Sequence, residues 1–405
     1  MSKLVSKLRR SKLGTSLVAF VLAFSVLLSS FGLTIFAGVG TNNVWDGEAE
    51  ALTVGTGTET DPYIISTAGQ LYTVATMAKA DTQGKYFELA NDIYLNDVTS
   101  ETWYENNGLR EWTFAKVEGS AFNTDKAFAG HFNGKGHVVR GLYVSEKTNH
   151  TDVAIADTSV AAGIFPLLSG GATVTALGLE NSFISISNSV EAVGVVNDVN
   201  TDLCTFGGFA GAIAGKIVGN SDSAPVVIDQ CYANESAILK GYRIGLAGEA
   251  DSNGAGVFVR NCYATMSYEA YRYNLESAPY DREESNRPAL VAANTSGVTY
   301  TGCWTIYNLY GNNGTANAAS TNNYRTGWVS TTAGTTKITA DEMKGDLAKT
   351  KMSGLDWENM WVATAGYPVL KVFVDAALEA NNTWDGSIAD ALVGSGTETS
   401  PYLIR

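Results

Sequence analysis

The chain contains few residues of the kinds that carry common catalytic, metal-binding and nucleic-acid chemistry. Of its 405 residues only 3 are His, 4 are Cys and 7 are Pro, and charged residues make up 17%. No Gly-x-Ser-x-Gly or His-Glu-x-x-His motif occurs, and no Cys-x-x-Cys pair has the spacing of a zinc site. The formal net charge is −14, and no Lys and Arg cluster that would bind phosphates occurs beyond residue 37. The sequence therefore predicts no catalytic residue, no metal site, no cofactor and no nucleic-acid partner.

The first 37 residues combine a basic start with a long apolar run. Five Lys and Arg residues and no acidic residue precede an apolar run over 17–36, which Ala37 follows. This order is typical of a signal peptide, so we predict export and cleavage of residues 1–37. Loss of its five positive charges takes the formal net charge from −14 to −19. A retained membrane anchor is the alternative, because the run approaches the roughly 20 residues that cross a bilayer. Both readings predict an extracytoplasmic protein, secreted or at the cell surface, with no other membrane contact.

One stretch of sequence occurs twice. Residues 42–66 and 381–405 align without a gap at an offset of 339 residues, and 14 of 25 positions are identical. The repeat predicts a module over 42–375, followed by a linker and the start of a second, homologous module over 376–405. Within the repeated Trp-Asp-Gly motif, Asp46 is interpreted as a turn former.

Two segments with helical signals flank a strand-like region. Residues 67–80 begin with a capping box and place four apolar residues on one face. Residues 339–349 begin with a second capping box and place two apolar residues on one face. The capping pairs are Thr67 with Gln70 and Thr339 with Glu342; the predicted faces are Leu71, Val74, Ala75 and Ala78, and Met343 with Leu347. We predict that short helices cap the two ends of a stacked sheet, with a closing strand over 367–374.

Between the two helical segments, a strand motif with three apolar positions, Φ-x-x-Φ-x-Φ, recurs five times at irregular spacing. The apolar positions are Val139, Leu142 and Val144; Val174, Leu177 and Leu179; Ile228, Cys231 and Ala233; Val259, Cys262 and Ala264; and Tyr300, Cys303 and Thr305. A fixed strand motif with variable insertions is typical of an all-β solenoid, in which coils stack and loops leave at the corners.

Several blocks resemble secreted right-handed parallel β-helix proteins of Gram-positive bacteria. GTGTETDPYIISTAGQL (55–71) resembles their opening, FAGHFNGKGHVVRGLYV (128–144) their first full coil, and LDWENMWVATAGYPVLK (355–371) their closing strand. GGFAGAIAG with IDQCYAN, and GLAGEA with VRNCYAT, resemble the glycine-rich GLUG repeat, which is degenerate at 289–294. The resemblance implies a right-handed parallel β-helix in an adhesin-like or peptidase-like surface protein, and its motifs contain no catalytic residue to transfer.

The cysteines and histidines have structural interpretations. Cys231, Cys262 and Cys303 occupy the middle apolar position, so we predict inward-pointing free thiols. A disulfide is the alternative, because coils about 4.8 Å apart are close enough for one. Cys204 is predicted to lie in a loop without a partner. His131, His137 and His150 are interpreted as solvated turn residues.

The residue after each middle position is predicted to point outward, because side chains alternate along a strand. These residues are Tyr143, Gly178, Tyr232, Tyr263 and Trp304. Their four aromatic rings would form an external row that stacks on sugar rings. The alternatives are a self-stacking ladder, or a surface covered by an inserted segment such as 265–288.

We therefore expect a non-catalytic, stalk-like or adhesin-like surface module, monomeric within a longer chain. It would contact neutral glycan or a host surface through Tyr143, Tyr232, Tyr263 and Trp304. One alternative is a carbohydrate-active enzyme, a polysaccharide lyase or glycosidase, because carboxylates from different coils can meet on one face. The other is a purely structural spacer.

Overall fold

A computed structural model describes most of the chain from Val44 to Lys371. The described residues are 44–118, 121–150, 160–190, 204–206, 208–218, 224–241, 243–251, 256–269, 289–294, 298–305, 323–325 and 335–371. The predicted signal peptide and the predicted second module lie outside them. Most of the regular structure is strand, arranged in parallel sheets, which confirms the all-β prediction.

Two long sheets consist entirely of parallel strands, and the order of strands in each follows the order in the chain. Sheet I contains Tyr63–Ile65, Tyr86–Leu89, His131–Asn133, Thr173–Thr175, Val226–Asp229, Val257–Arg260 and Val298–Thr301. Sheet II contains Ile93–Tyr94, Val138–Arg140, Gly178–Glu180, Tyr232–Ala233, Tyr263–Ala264, Trp304–Thr305, Asn323–Arg325 and Thr335–Lys337.

Two further sheets are parallel with antiparallel additions. Sheet III contains Tyr143–His150, Phe183–Val190, Ile238–Lys240 and Ser267–Glu269, with Cys204–Phe206 antiparallel to the second strand. Sheet IV contains Val160–Ala162, Phe165–Ser169, Phe209–Val218, Arg243–Asp251 and Ala289–Asn294, with the antiparallel pair Phe114–Glu118 and Ala121–Phe122 beside its first strand. The backbone of Cys204 is therefore in a strand, so the prediction of a loop was wrong.

From His131 to Thr305 the chain visits the four sheets repeatedly in the same order, I, II, III and IV; we call each passage a circuit. One circuit consists of Val226–Asp229, Tyr232–Ala233, Ile238–Lys240 and Arg243–Asp251. In most strands of sheet I alternate side chains are buried, as in Val226–Asp229, where Val226 and Ile228 are buried. All five residues of Phe165–Ser169 in sheet IV are buried. The inward side chains of successive circuits form one continuous hydrophobic core.

The corner between sheets I and II repeats from circuit to circuit. One residue with positive φ turns the chain, and the next residue enters the core. The turning residues are Ala176 (51°), Gln230 (54°), Asn261 (51°) and Gly302 (60°), and the buried ones are Leu177, Cys231, Cys262 and Cys303. The three cysteines are fully buried free thiols, as predicted. Burial raises the pKa of the Cys262 and Cys303 thiols, which keeps them protonated.

The first complete circuit, which begins with His131–Asn133, has a longer corner between sheets I and II. This longer corner changes the register of the strands that follow it. Lys135 and Gly136 both have positive φ within the turn that follows Asn133. Val138 consequently pairs with Gly178 in sheet II, and Tyr143 pairs with Phe183 in sheet III. The predicted equivalence of Leu142 with Leu177 was therefore wrong, because the fixed motif did not allow for the longer turn.

The predicted N-terminal helix is present but shorter. Helix α1 covers Ala68–Thr76, where Thr67 Oγ1 accepts a hydrogen bond from Gln70 N, and a second helix, α2, covers Lys79–Thr82. Leu71, Val74 and Ala75 enter the main core, as predicted. Ala78 is exposed because it lies in the break between the two helices. Asp46 Oδ1 accepts a hydrogen bond from Glu48 N, which confirms the predicted turn.

The described chain ends in what we call the C-terminal segment, residues 338–371. It contains a 3-10 helix at Asp341–Met343, helix α3 at Gly345–Lys351, and an antiparallel pair, Trp361–Val362 with Val369–Leu370. Further 3-10 helices occur at Trp103–Glu105 and Thr124–Lys126. The Thr339–Glu342 capping box forms in both directions. Leu347, predicted to share the buried face of Met343, is 55% exposed, because Gly345 (φ 60°) interrupts the helix and turns Ala348 inward.

Candidate functional site

The outer face of sheet II carries three of the four aromatic residues that the sequence predicts in one row. Tyr232, Tyr263 and Trp304 are consecutive in register. The Tyr232 and Tyr263 rings stack with centroids 5.0 Å apart. Their neighbours Ala233 and Ala264 face the main core, so the aromatic side chains lie on the opposite face, as alternation requires. Tyr143 is not in this row, because it belongs to sheet III.

This row is not exposed. Tyr232, Tyr263 and Trp304 are 1%, 0% and 0% exposed, because they form a second hydrophobic core with the C-terminal segment. Trp361 packs 6.0 Å from Tyr232 and 5.7 Å from Tyr263, measured between ring centroids. The Tyr263 hydroxyl donates a hydrogen bond to Pro368 O at 2.7 Å. The prediction of an external row was therefore wrong, and a glycan would reach these rings only if the C-terminal segment moved away.

A glycine next to the row makes space for Tyr232. A Cβ atom at Gly178 would lie 2.6 Å from the Tyr232 ring, closer than a normal contact. The ring thus extends across Gly178, and its hydroxyl donates a 2.7 Å hydrogen bond to Glu180 Oε1.

Glu180 belongs to a polar network centred on Arg140. The Arg140 guanidinium donates to Glu180 Oε2 at 2.8 Å and to Asp92 Oδ2 at 2.6 Å. His137 Nδ1 lies 3.2 Å from Asp92 Oδ1. Burial, the largest effect, opposes ionisation of Asp92, but contacts with His137 and Arg140 outweigh it and lower its pKa. The two carboxylates that meet here both accept hydrogen bonds from one guanidinium.

The arrangement is better suited to holding strands together than to proton transfer. A general acid or base needs a carboxyl group whose pKa lies near the working pH, whereas Asp92 is held ionised by its partners. The network joins Asp92, before the first strand of sheet II, to Arg140 and Glu180 in the next two strands. Among the residues that the structure describes, no group of three or more His, Cys, Asp or Glu is placed to hold a metal ion.

Two histidines predicted to be solvated are partly buried and bonded. His131 lies in a strand of sheet I, its Nδ1 is 3.0 Å from Thr173 Oγ1, and its ring centroid is 4.4 Å from that of Tyr86. Burial lowers its pKa, which favours the neutral imidazole. His137 pairs with Asp92. The interpretation as solvated turn residues was wrong for both, because neighbouring strands cover them; the side chain of His150 lies outside the described residues.

A second aromatic cluster lies on the outer face of sheet III. Tyr143 and Phe183 are neighbours in register, and Tyr104, from the segment before sheet IV, stacks on Phe183. Beside Tyr104 is an open cleft of about 350 Å³ between residues 98–104 and the sheet III side of the stack. Tyr143 was identified from the sequence, but Tyr104 and Phe183 were not. These three residues come together only in the observed register, which differs from the predicted one because of the longer turn at Lys135 and Gly136.

These observations define a strand-rich protein built from repeated circuits through four largely parallel sheets. No helix in the described part of the chain has the length and apolar character needed to cross a membrane.

No protein-family model and no solved structure matches the chain. Among curated proteins it is similar to halomucin from Haloquadratum walsbyi, at 25% identity over 336 residues. The alignment covers 81% of this chain and 3% of halomucin, so the chain corresponds to a small part of that protein. An identity this low does not assign the chain to a family.

Proposed function

We propose that the module is a right-handed parallel β-helix that serves as a non-catalytic, stalk-like or adhesin-like part of a bacterial surface protein. The observation that carries the proposal is the repeated circuit, in which each strand pairs in parallel with its counterpart in the next circuit. Right-handedness follows from the strong preference of parallel crossover connections for that hand, about 98% of cases. The GLUG-like blocks form strands of sheets I, II and IV and are consistent with the same architecture.

A stalk needs a rigid body that extends along one axis, and two features favour this role. Each circuit adds about 4.8 Å of length through backbone hydrogen bonds, so the stack is stiff along its axis. The outer face of sheet II is closed by a second core, and its carboxylates are paired with Arg140. These groups stabilise the stack, and the bonds to Arg140 commit the Asp92 and Glu180 carboxylates to structural contacts.

The sequence supports a modular, exported protein. Residues 42–66 recur at 381–405, which is the pattern of modules in series. The similarity to 3% of halomucin is consistent with a module that also occurs within a much longer chain. The basic and apolar start of residues 1–37 is the basis for an extracytoplasmic location.

Fractionation of a bacterial host that expresses the full chain tests the proposal. We expect the protein outside the cytoplasm, with a mature N-terminus directly after Ala37. A variant that lacks residues 1–37 is the matched control and should stay in the cytoplasm. Retention of the uncleaved full chain in the cytoplasm would contradict the proposed function.

A further inference from the structure

We propose that the cleft beside Tyr104, on the sheet III side of the stack, binds a neutral saccharide. This inference rests on the proposed surface function and names the class of ligand and the side chains that contact it. The cleft's volume of about 350 Å³ lies at the lower end of the roughly 300–1,000 Å³ of ligand pockets, which suits a short saccharide segment.

The aromatic side of the cleft is held in place before any ligand arrives. Tyr104 lines the cleft, and its ring stacks on Phe183 with centroids 4.8 Å apart and planes 6° apart. Phe183 in turn stacks on Tyr143 at 5.7 Å. Trp103, only 3% exposed, anchors the segment that carries Tyr104. Sugar rings have apolar faces that pack on aromatic rings, and a pre-positioned ring lowers the entropic cost of binding.

The polar side of the cleft offers hydrogen-bonding groups that the protein does not use. Glu101, Glu235 and Asn181 line the cleft. Among the described residues, neither carboxylate forms an ion pair and the Asn181 side chain forms no hydrogen bond. Carboxylate and amide groups next to an aromatic ring match the hydroxyl groups and apolar face of a sugar. The Asp92 and Glu180 carboxylates, by contrast, accept hydrogen bonds from Arg140.

Charge selects a neutral ligand. Two unpaired carboxylates in a chain of net charge −14 disfavour acidic saccharides by repulsion. An organic cation would be attracted to the carboxylates and to aromatic rings. However, Lys240 Nζ already lies 5.7 Å from the Phe183 ring centroid and would repel a second cation there. A neutral saccharide is repelled neither by the two carboxylates nor by Lys240.

The experiment is calorimetric titration of the full chain with neutral oligosaccharides of glucose, xylose, mannose and N-acetylglucosamine. Oligogalacturonate and choline serve as acidic and cationic comparisons. We expect at least one neutral oligosaccharide to bind. Tyr104→Ala should weaken binding about tenfold, as expected for the loss of a stacking ring, and Tyr104→Phe should retain it.

The polar contacts are tested with variants that preserve the backbone. Glu235→Gln should weaken binding severalfold, and so should Asn181→Gly, which keeps the positive φ of 40° while removing the amide. Glu105→Gln is the matched control, because Glu105 is exposed in the same segment and does not line the cleft; it should bind as the wild type does. If Tyr104→Ala fails to fold, Glu235→Gln and Asn181→Gly still decide the question.

The inference is overturned if no neutral oligosaccharide binds, if only choline or oligogalacturonate binds, or if binding is unchanged in Tyr104→Ala, Glu235→Gln and Asn181→Gly. These outcomes leave the proposed surface function intact, because the fractionation experiment measures location independently. A cytoplasmic protein would contradict the surface function, whereas the cleft would still be tested on the purified chain.

Discussion

The outer faces of sheets II and III both carry stacked aromatic rings, but only one face is covered. On sheet II, Tyr232, Tyr263 and Trp304 lie under the C-terminal segment and are at most 1% exposed. On sheet III, Tyr143 and Phe183 are partly exposed, and beside them Tyr104 lines an open cleft. Strand alternation determines which side chains point outward, whereas the docking of a distant segment determines whether they meet solvent. An outward aromatic row is therefore a structural core on one face and a candidate binding surface on the other.

The largest expected effect comes from removing the ring that covers sheet II. Trp361→Ala deletes a side chain that is 1% exposed and packs on Tyr232 and Tyr263. The free energy of unfolding should fall by about 3–5 kcal/mol, as for other buried Trp truncations. Chemical denaturation measures it, with Val362→Ala, at a 40% exposed position, as the near-neutral control. A loss below about 1 kcal/mol would contradict a structural role for this cover.

A smaller effect is expected at the glycine beneath Tyr232. Gly178→Ala places a methyl group where the Tyr232 ring lies, and should cost about 1–3 kcal/mol of unfolding free energy through overpacking. Gly366→Ala is the control, because its Cβ would meet only Thr364 Oγ1 at 3.7 Å. Equal effects of the two substitutions on the denaturation midpoint would show that Tyr232 does not occupy this position.

The open face should contribute less to stability than the covered one. Tyr104→Ala removes a stacked ring that is partly exposed, so the unfolding free energy should fall by about 0.5–1.5 kcal/mol. Denaturation under the same conditions as for Trp361→Ala gives the comparison directly. A loss as large as that of Trp361→Ala would mean that the two faces have the same role.

The smallest expected effect is a pH dependence from the network on sheet II. The pKa of Asp92 is lowered in the folded state, so its contribution to stability is present above its unfolded pKa of about 3.8 and is lost as pH falls through the lower folded value. Wild-type stability should therefore fall more steeply below about pH 4 than that of Asp92→Asn. Parallel pH profiles of the two proteins, from thermal unfolding, would contradict this.

Local signals in the sequence predicted local structure well. Thr67 and Gln70 mark the start of α1, as predicted. Thr339 and Glu342 form the second predicted capping box, and Asp46 forms the predicted turn. Hydrogen bonds between residues two or three apart depend little on the rest of the chain, so such patterns remain reliable. The buried thiols were predicted for a related reason, because a repeated motif places Cys231, Cys262 and Cys303 at the same corner.

Features that depend on distant contacts were not predictable in this way. The register of Tyr143 required knowledge of the two positive-φ residues in the first corner. The burial of Trp304 required knowledge of where residues 338–371 dock. The cleft required knowledge of how distant segments meet, since it joins residues from positions 98–104, 181, 235–238 and 267. No periodicity in a single segment encodes such juxtapositions.

Hydroxyl-radical footprinting of the native chain, read by mass spectrometry, tests the difference between the two faces most directly. Tyr104 and Tyr143 should be modified in the native state, because their rings are partly exposed. Tyr232, Tyr263 and Trp304 should be protected until the protein unfolds, because they are at most 1% exposed. Modification of the sheet II row in the native protein at the same rate as Tyr104 would contradict the account.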